Sequence, residues 1–198
     1  MKKPNVVLVF ADDLGYGDLS CFNQNSRIHT YNIDRLAEES MRCVDAHASS
    51  ALCTPSRYGL MTGRYNWRSK LKHSVISGDK KHLIEDGRLT LGLMFKSAGY
   101  NTACIGKWHL GLDWTLKEGA DRKLTEVDVF NFGKHVDIDY AGNVENGPPA
   151  FGFDYSFVTP GSLDIPPYVF VENGRVSAMP DRCTGIDDFM QVIRSGGQ

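Results

Sequence analysis

Hydrophobic and polar positions in the first part of the chain predict strands and helices in alternation. Val6–Phe10 is a continuous apolar run, as expected of a central parallel strand that is covered on both faces. A Gly-rich turn at Leu14–Asp18 follows this run. From about Asn32 to Met41 the apolar residues recur at helical spacing, which predicts a helix that Asn32 caps.

A second helix is predicted over Leu91–Ala98, with Thr90 as its N-cap and Gly99 as its stop. The apolar residues of Tyr100–Ile105 then predict another buried strand. Strand, helix, strand and helix in this order are typical of an α/β sheet. From about residue 117 onward the chain is rich in Gly, Pro and Asp, and no periodic pattern predicts further elements there.

Polar residues directly follow both predicted strands. Asp12 and Asp13 come after the first strand, and Lys107, Trp108 and His109 come after the second. Ligands of open α/β sheets gather at the carboxyl ends of the strands, so the two groups are expected to converge on one site. If the second strand continues, Trp108 points away and the side chains of Lys107 and His109 face one pocket.

The composition is that of an ordinary globular protein and excludes several function classes. The 198 residues include 22 basic and 24 acidic side chains, and a net charge of -2 argues against a general nucleic-acid-binding protein. No apolar run is long enough for a transmembrane segment. Asp12 and Asp13 interrupt the first apolar stretch, so the start is a poor signal peptide. We therefore expect a cytoplasmic protein, or a periplasmic or secreted one if an upstream leader was removed.

Five cysteines leave at least one thiol unpaired, and no two of them form a CxxC motif. Four are expected to be structural: Cys21, Cys43, Cys104 and Cys183. Five of the six histidines have no motif around them and are expected to be non-functional: His29, His47, His73, His82 and His135.

Cys53 differs from the other cysteines because it precedes a predicted helix start. Thr54 provides a capping hydroxyl, Pro55 suits the first helical position, and Gly63 suits the stop. The N-terminus of a helix favours an anion. A cation in the first turn is electrostatically disfavoured, so Arg57 at its predicted position is expected to have an anionic partner. The alternatives are a buried structural thiol at Cys53 and a solvated arginine at Arg57.

Three segments resemble motifs of the type I sulfatases, the formylglycine-dependent, arylsulfatase-like family. Ala51–Gly63 resembles the signature C-x-P-S-R with its trailing L-M-T-G, and Gly99–His109 resembles the second signature of the family. Pro4–Gly15 is similar to the start of a sulfatase. The three matches occur in the order of the family and cover about the first 115 residues.

The resemblance implies an alkaline-phosphatase-like α/β fold, with a mixed, mostly parallel sheet between helices. Residues 1–198 would be the N-terminal part of a truncated catalytic domain, without a second domain. Cys53 would be oxidised to formylglycine by a formylglycine-generating or an anaerobic sulfatase-maturating enzyme. The hydrated aldehyde would then attack the sulfur of a sulfate ester, either a sulfated sugar or an aryl sulfate.

The resemblance also implies roles for individual residues. Lys107 would bind the sulfate or nucleophile oxygens, and His109 would bond to the hydroxyls of the modified Cys53. For Arg57, the predicted position in the first turn favours a catalytic role as a partner for the hydrated aldehyde or for metal-site oxygens. Asp12 and Asp13, together with the modified Cys53, would bind Ca²⁺ or another divalent cation such as Mg²⁺. The structural alternatives are a turn at the two aspartates and an ordinary strand end at Lys107 and His109.

The sequence departs from the family in two ways. Tyr31 stands where the family often has proline, and no counterpart of the remaining metal and sulfate ligands occurs before Gln198. We therefore expect the isolated chain to bind metal weakly and to have little or no activity. Two alternatives stay open, a phosphonate or phosphate ester hydrolase of the same superfamily and a non-catalytic module that binds sulfated glycans.

Overall fold

A computed structural model describes residues 3–127 and 136–181 of the chain. The chain divides into two compact units, Met1–His47 and Ala48–Gln198. The expectations for His135 and Cys183 lie outside the described residues.

The first unit contains the helix α1, Tyr31–Glu38, and a short 3-10 helix, Tyr16–Asp18. The carboxylate of Asp34 holds the start of α1, because it accepts hydrogen bonds from the Ser20 hydroxyl at 2.6 Å and the Thr30 hydroxyl at 2.8 Å. These bonds lower the pKa of Asp34. The predicted helix is confirmed, but Thr30 rather than Asn32 occupies the N-cap position.

The strand predicted at Val6–Phe10 is wrong. The segment has no regular secondary structure, and the side chains of Val7 and Val9 are 86% and 85% exposed. A strand requires a hydrogen-bonded neighbour, and the described residues of the first unit contain no strand that could serve as one. The run therefore has the apolar composition that is typical of a strand, but it does not form one.

The second unit contains the helices α2, Cys53–Thr62, and α3, Leu91–Ser97. It also has 3-10 helices at Asn66–Arg68, Arg122–Thr125 and Pro148–Phe151.

The predicted caps of α3 are confirmed. The Thr90 hydroxyl accepts a hydrogen bond from the Leu93 amide at 3.2 Å. Gly99 has a φ of 78°, and its amide donates to the Lys96 carbonyl at 2.9 Å. Local sequence was sufficient here because a cap depends on residues within one turn.

Among the described residues of the second unit, six strands form two sheets. The larger sheet has the order β1-β4-β5-β6, and the smaller one pairs β2 with β3. The strands are β1 Ala103–Lys107, β2 Asp113–Trp114, β3 Val144–Glu145, β4 Tyr155–Thr159, β5 Val171–Glu172 and β6 Arg175–Val176.

The expected α/β class is confirmed, and the described larger sheet is mixed. The strands β1 and β4 are parallel, with Ala103 opposite Tyr155 and Lys107 opposite Thr159. The pairs β4–β5 and β5–β6 are antiparallel. The strand predicted over Tyr100–Ile105 is present as β1 but is not buried, since Ile105 is 73% exposed.

The hydrophobic core of the second unit lies where the segments 76–84 and 108–114 pack together. The Leu83 amide donates to the Leu110 carbonyl at 2.8 Å, and the Leu112 amide donates to the Lys80 carbonyl at 2.9 Å. This pairing joins the segment that follows α2 to the segment that follows β1. The largest fully buried apolar side chains are Tyr58, Ile76, Leu83, Ile84, Leu110 and Leu112.

Candidate active site

Cys53 is the first residue of α2, and its free thiol is half-buried. Leu52 is the N-cap residue and has an extended backbone, and its carbonyl accepts a hydrogen bond from the Ser56 amide at 3.1 Å. The prediction that Thr54 caps the helix is wrong, because the Thr54 hydroxyl instead accepts a hydrogen bond from the Ile76 amide at 3.3 Å. Pro55 therefore lies third in the helix, where its missing N–H still costs no intrahelical bond.

The far end of α2 is where the sequence predicted it. Gly63 has a φ of 65°, and its amide donates to the Gly59 carbonyl at 2.9 Å. At the near end, the Ser56 hydroxyl donates to the Ser50 carbonyl at 2.5 Å and ties the entering segment to the first turn. Cys53 therefore lies between an entering segment that a hydrogen bond fixes to the helix and a helix that ends at a left-handed glycine.

Arg57 joins α2 to the end of β1. Its Nη1 donates a hydrogen bond to the carbonyl oxygen of Lys107 at 2.6 Å, across 50 residues of sequence. Because the helix begins at Cys53, Arg57 lies in the second turn and not in the first as predicted. The structure therefore brings the first turns of α2 and the last residue of β1 together.

The alternation predicted at Lys107, Trp108 and His109 is wrong, because the strand ends at Lys107. His109 has a φ of 53°, and this left-handed backbone breaks the period of two. Trp108 is 2% exposed, and its indole N–H donates to the Gly111 carbonyl at 2.9 Å. Lys107 is half-buried, whereas His109 is fully buried.

His109 lies next to the backbone of Ile76, with its Nε2 at 2.6 Å from the Ile76 carbonyl oxygen. The amide of the same Ile76 donates to the Thr54 hydroxyl. Thr54, which follows Cys53, therefore binds the amide of Ile76, and His109 contacts the carbonyl of the same residue. Sequence reasoning missed Ile76 and Thr54 as parts of the site, since backbone contacts leave no motif.

A second cysteine lies close to Arg57. Burial raises the pKa of Cys104 to about 11, and the positive charge of Arg57 opposes that rise without overcoming it. The Cys104 thiol therefore stays protonated at neutral pH and is a poor nucleophile. Cys53, in contrast, is half-buried and is the first residue of α2.

The expected metal ligands Asp12 and Asp13 lie in the first unit, and both are exposed. Their oxygens are donors of the kind that Ca²⁺ and Mg²⁺ prefer, but Ca²⁺ takes about six to eight ligands. Within residues 3–127 and 136–181 no cluster of three or more His, Cys, Asp or Glu side chains could hold a metal ion. Two carboxylates alone would supply only part of such a ligand set.

Another group that sequence reasoning missed surrounds His82. Its Nδ1 lies 2.9 Å from Oδ1 of Asp113, and the amide of Asn146 donates to Oδ2 of Asp113 at 2.8 Å. Burial favours the neutral form of Asp113, but these two bonds, the bond from the His82 amide and the charge of His82 together lower the pKa of Asp113 to about 2. The bond to Asp113 also raises the pKa of His82.

Comparisons with known proteins point to one family. The sequence profile of the sulfatase family matches residues 4–159. An N-acetylgalactosamine-6-O-sulfatase from Bacteroides thetaiotaomicron is 40% identical over 88% of this chain and 30% of its own length. The human steryl-sulfatase is 45% identical over 56% of this chain and 20% of its own length.

A solved structure supports the same relationship. It comes from work on the metabolism of multiple glycosaminoglycans by Bacteroides thetaiotaomicron, and it is 39% identical to this chain with a TM-score of 0.74. The match covers 91% of this chain and 33% of that one, so the chain spans about a third of the length of such relatives.

Among the described helices, none is long and apolar enough to cross a membrane.

Proposed function

Because the chain belongs to the sulfatase family, we propose that it is the N-terminal part of a formylglycine-dependent sulfuric ester hydrolase. The observation that carries this proposal is the position of Cys53 at the first residue of α2, inside a C-x-P-S-R motif. The hydrogen bond from Arg57 to Lys107 supports it further, since it brings two of the three family motifs together. Sulfatase membership implies a formylglycine and a divalent metal in general.

The geometry suits attack on a sulfate ester. The formylglycine formed from Cys53 would supply a hydroxyl as the nucleophile toward the sulfur of R–O–SO₃⁻. The free amides at the start of α2 favour the negative charge that surrounds that sulfur. In this proposal Lys107 binds sulfate oxygens, His109 bonds to the hydroxyls at residue 53, and Arg57 holds β1 against α2.

The proposed metal ligands are Asp12, Asp13 and the modified Cys53, for Ca²⁺ or another divalent cation such as Mg²⁺. Their oxygen donors suit a hard cation. The rest of the ligand set has no counterpart among the described residues, so the isolated chain is expected to bind the ion weakly.

A sulfated sugar is the substrate class that we favour over an aryl sulfate. The N-acetylgalactosamine-6-O-sulfatase matches 88% of this chain, whereas the human arylsulfatase A matches 56%. The proposed partner in maturation is a formylglycine-generating or an anaerobic sulfatase-maturating enzyme. The expectations of a cytoplasmic location and of no nucleic-acid partner stay predictions.

Peptide mass spectrometry across Cys53 tests the proposal. After co-expression with a maturation enzyme, the peptide that contains Cys53 is expected to carry an aldehyde in place of the thiol. The variant Cys43→Ala, which removes an exposed cysteine outside the motif, should leave this conversion intact. A fully unmodified thiol at Cys53 would favour the non-catalytic glycan-binding alternative and sink the proposed chemistry.

A second measurement compares the isolated chain with its full-length protein. We expect the 198 residues alone to hydrolyse aryl sulfates at a small fraction of the full-length rate, because the ligand set is incomplete. Robust turnover by the isolated chain would contradict this expectation. Faster turnover of an aryl phosphonate than of an aryl sulfate by the full-length protein would favour the phosphonate hydrolase alternative.

A further inference from the structure

We propose that the Ile76 carbonyl and the Thr54 hydroxyl are positioning groups that fix the tautomer of His109, with the hydrogen on Nε2 and the lone pair on Nδ1. The significance of that tautomer for the reaction rests on the proposed function. The tautomer itself follows from the geometry around the ring.

The contact between His109 and Ile76 decides which nitrogen carries the hydrogen. Nε2 lies 2.6 Å from the Ile76 carbonyl oxygen, and a carbonyl oxygen can only accept a hydrogen bond. Nε2 must therefore donate, and a neutral imidazole then has its lone pair on Nδ1. The ring is fully buried, so water does not compete for this bond.

The backbone around the ring is held as well. The His109 amide donates to the Pro160 carbonyl at 3.2 Å, and the left-handed backbone at φ 53° sets the direction of the side chain. These contacts fix the residue independently of its ring.

Thr54 controls the position of the accepting carbonyl. Its hydroxyl accepts the Ile76 amide at 3.3 Å, and both residues are buried, with exposures of 0% and 1%. A buried amide that loses its acceptor is costly, so removal of the hydroxyl should displace the backbone of Ile76. Thr54 directly follows Cys53, and it therefore couples the start of α2 to the ring of His109.

The tautomer decides which atom of His109 can act as a base. With this tautomer, Nδ1 is the ring atom that would accept a proton from the remaining hydroxyl of a formylglycine at residue 53. The electron pair of that O–H bond would re-form the C=O bond as the C–O bond to the sulfate breaks, and sulfate would leave with the electrons of the broken bond. With the opposite tautomer, Nδ1 would carry a hydrogen and could not accept the proton.

Nitrogen NMR of the histidine rings tests the proposal without any turnover. In the chain labelled with ¹⁵N-histidine, long-range ¹H–¹⁵N spectra distinguish the two neutral tautomers, and the variant His109→Gln assigns the signals. We expect His109 to be a single Nε2–H tautomer. A ring with its hydrogen on Nδ1 would overturn the proposal.

A pair of variants tests the part played by Thr54. Thr54→Val keeps the shape of the side chain without the hydroxyl, and we expect it to convert the single His109 tautomer into a mixture. Thr54→Ser restores the hydroxyl and should restore the single tautomer, which a merely structural role would not do. An unchanged tautomer in Thr54→Val would overturn the role of Thr54.

The two proposals fail separately. The signals of His82 report whether each variant is folded, and the wild-type spectrum decides the tautomer even if Thr54→Val does not fold. An unmodified Cys53 thiol would sink the proposed reaction but would leave the measured tautomer as it is. An Nδ1–H tautomer together with an aldehyde at residue 53 would sink only the positioning proposal.

Discussion

Asp113 and His82 form an ion pair that holds the segment 80–83 against the residues that follow β1. The Nδ1 of His82 lies 2.9 Å from Asp113, and its Nε2 lies 3.4 Å from the exposed Asp86. The His82 amide also donates to Asp113 at 3.1 Å, so one carboxylate binds both the ring and the backbone of the same residue. The part of its stabilisation that appears as shifted pKa values is present only while both partners are charged.

The stability of the chain is therefore expected to depend on pH through this pair. The folded pKa of His82 is raised above 6.5, so its contribution is complete below that pH and is lost as the pH rises through the folded pKa. The folded pKa of Asp113 is lowered from 3.8 to about 2, so its contribution is present above 3.8 and is lost as the pH falls toward 2. The pair should stabilise most between these two limits.

The variant His82→Gln should show this dependence in urea unfolding. The loss in the free energy of unfolding relative to wild type should be largest between pH 3.8 and 6.5, and it should shrink as the pH rises through the folded pKa of His82 or falls toward 2. His73→Gln, which replaces an exposed histidine, is the matched control and should leave the pH profile unchanged. A loss that is constant across the pH range would show that His82 acts by packing alone.

At the scale of elements, α2 is the helix on which the candidate site depends. Its first residue is Cys53, its second turn provides Arg57, and Gly63 ends it with a left-handed backbone. Gly59 lies on the face that the entering segment crosses. A Cβ atom added at Gly59 would lie 2.8 Å from the Cβ of Ser49 and 2.1 Å from its hydroxyl oxygen.

Gly59→Ala is expected to destabilise the chain, although alanine is the better helix former by about 1 kcal/mol. The clash with Ser49 should cost about 1–3 kcal/mol, as is typical when an extra methyl group is forced into a packed contact. Thermal unfolding followed by circular dichroism measures the difference. The double variant Gly59→Ala, Ser49→Gly removes the clashing atoms and should recover part of the loss. A single variant more stable than wild type would refute the packing argument.

At the scale of the whole molecule, burial differs between the two units. The second unit has a core of buried apolar side chains, whereas no described residue of the first unit is buried. The apolar segment Val6–Phe10 is exposed over its whole length. Local stability follows buried contacts, so the two units should open with different free energies.

Amide hydrogen exchange is expected to show this difference. Val6–Val9 should exchange fast, because these residues lie outside helices and sheets, while the amides of α2 should be among the slowest. The edge strand β1 should lie between these extremes, since it pairs only with β4 on one side within the described sheet. Slow exchange across Val6–Val9 would contradict the structure of the first unit.

The sequence alone predicted the elements whose causes are local. The start and stop of α3, the stop of α2 and the existence of β1 follow from capping residues and short apolar patterns, and all are confirmed. The start of α2 differed from the prediction by two residues, because Thr54 has a tertiary partner that competes with capping. A local sequence pattern cannot predict a hydrogen-bond partner that lies 22 residues away along the chain.

The sequence by itself determined membership of the sulfatase family, and its motifs place the proposed catalytic residues Cys53, Arg57, Lys107 and His109 by residue type and spacing. Only the tertiary structure decided how two of these residues are held: Arg57 by the Lys107 carbonyl, and His109 by the Ile76 carbonyl. These contacts span 50 and 33 residues, and they depend on the path of the chain through the core. The apolar run Val6–Phe10 shows the same limit, because a strand exists only where a neighbour supplies its hydrogen bonds.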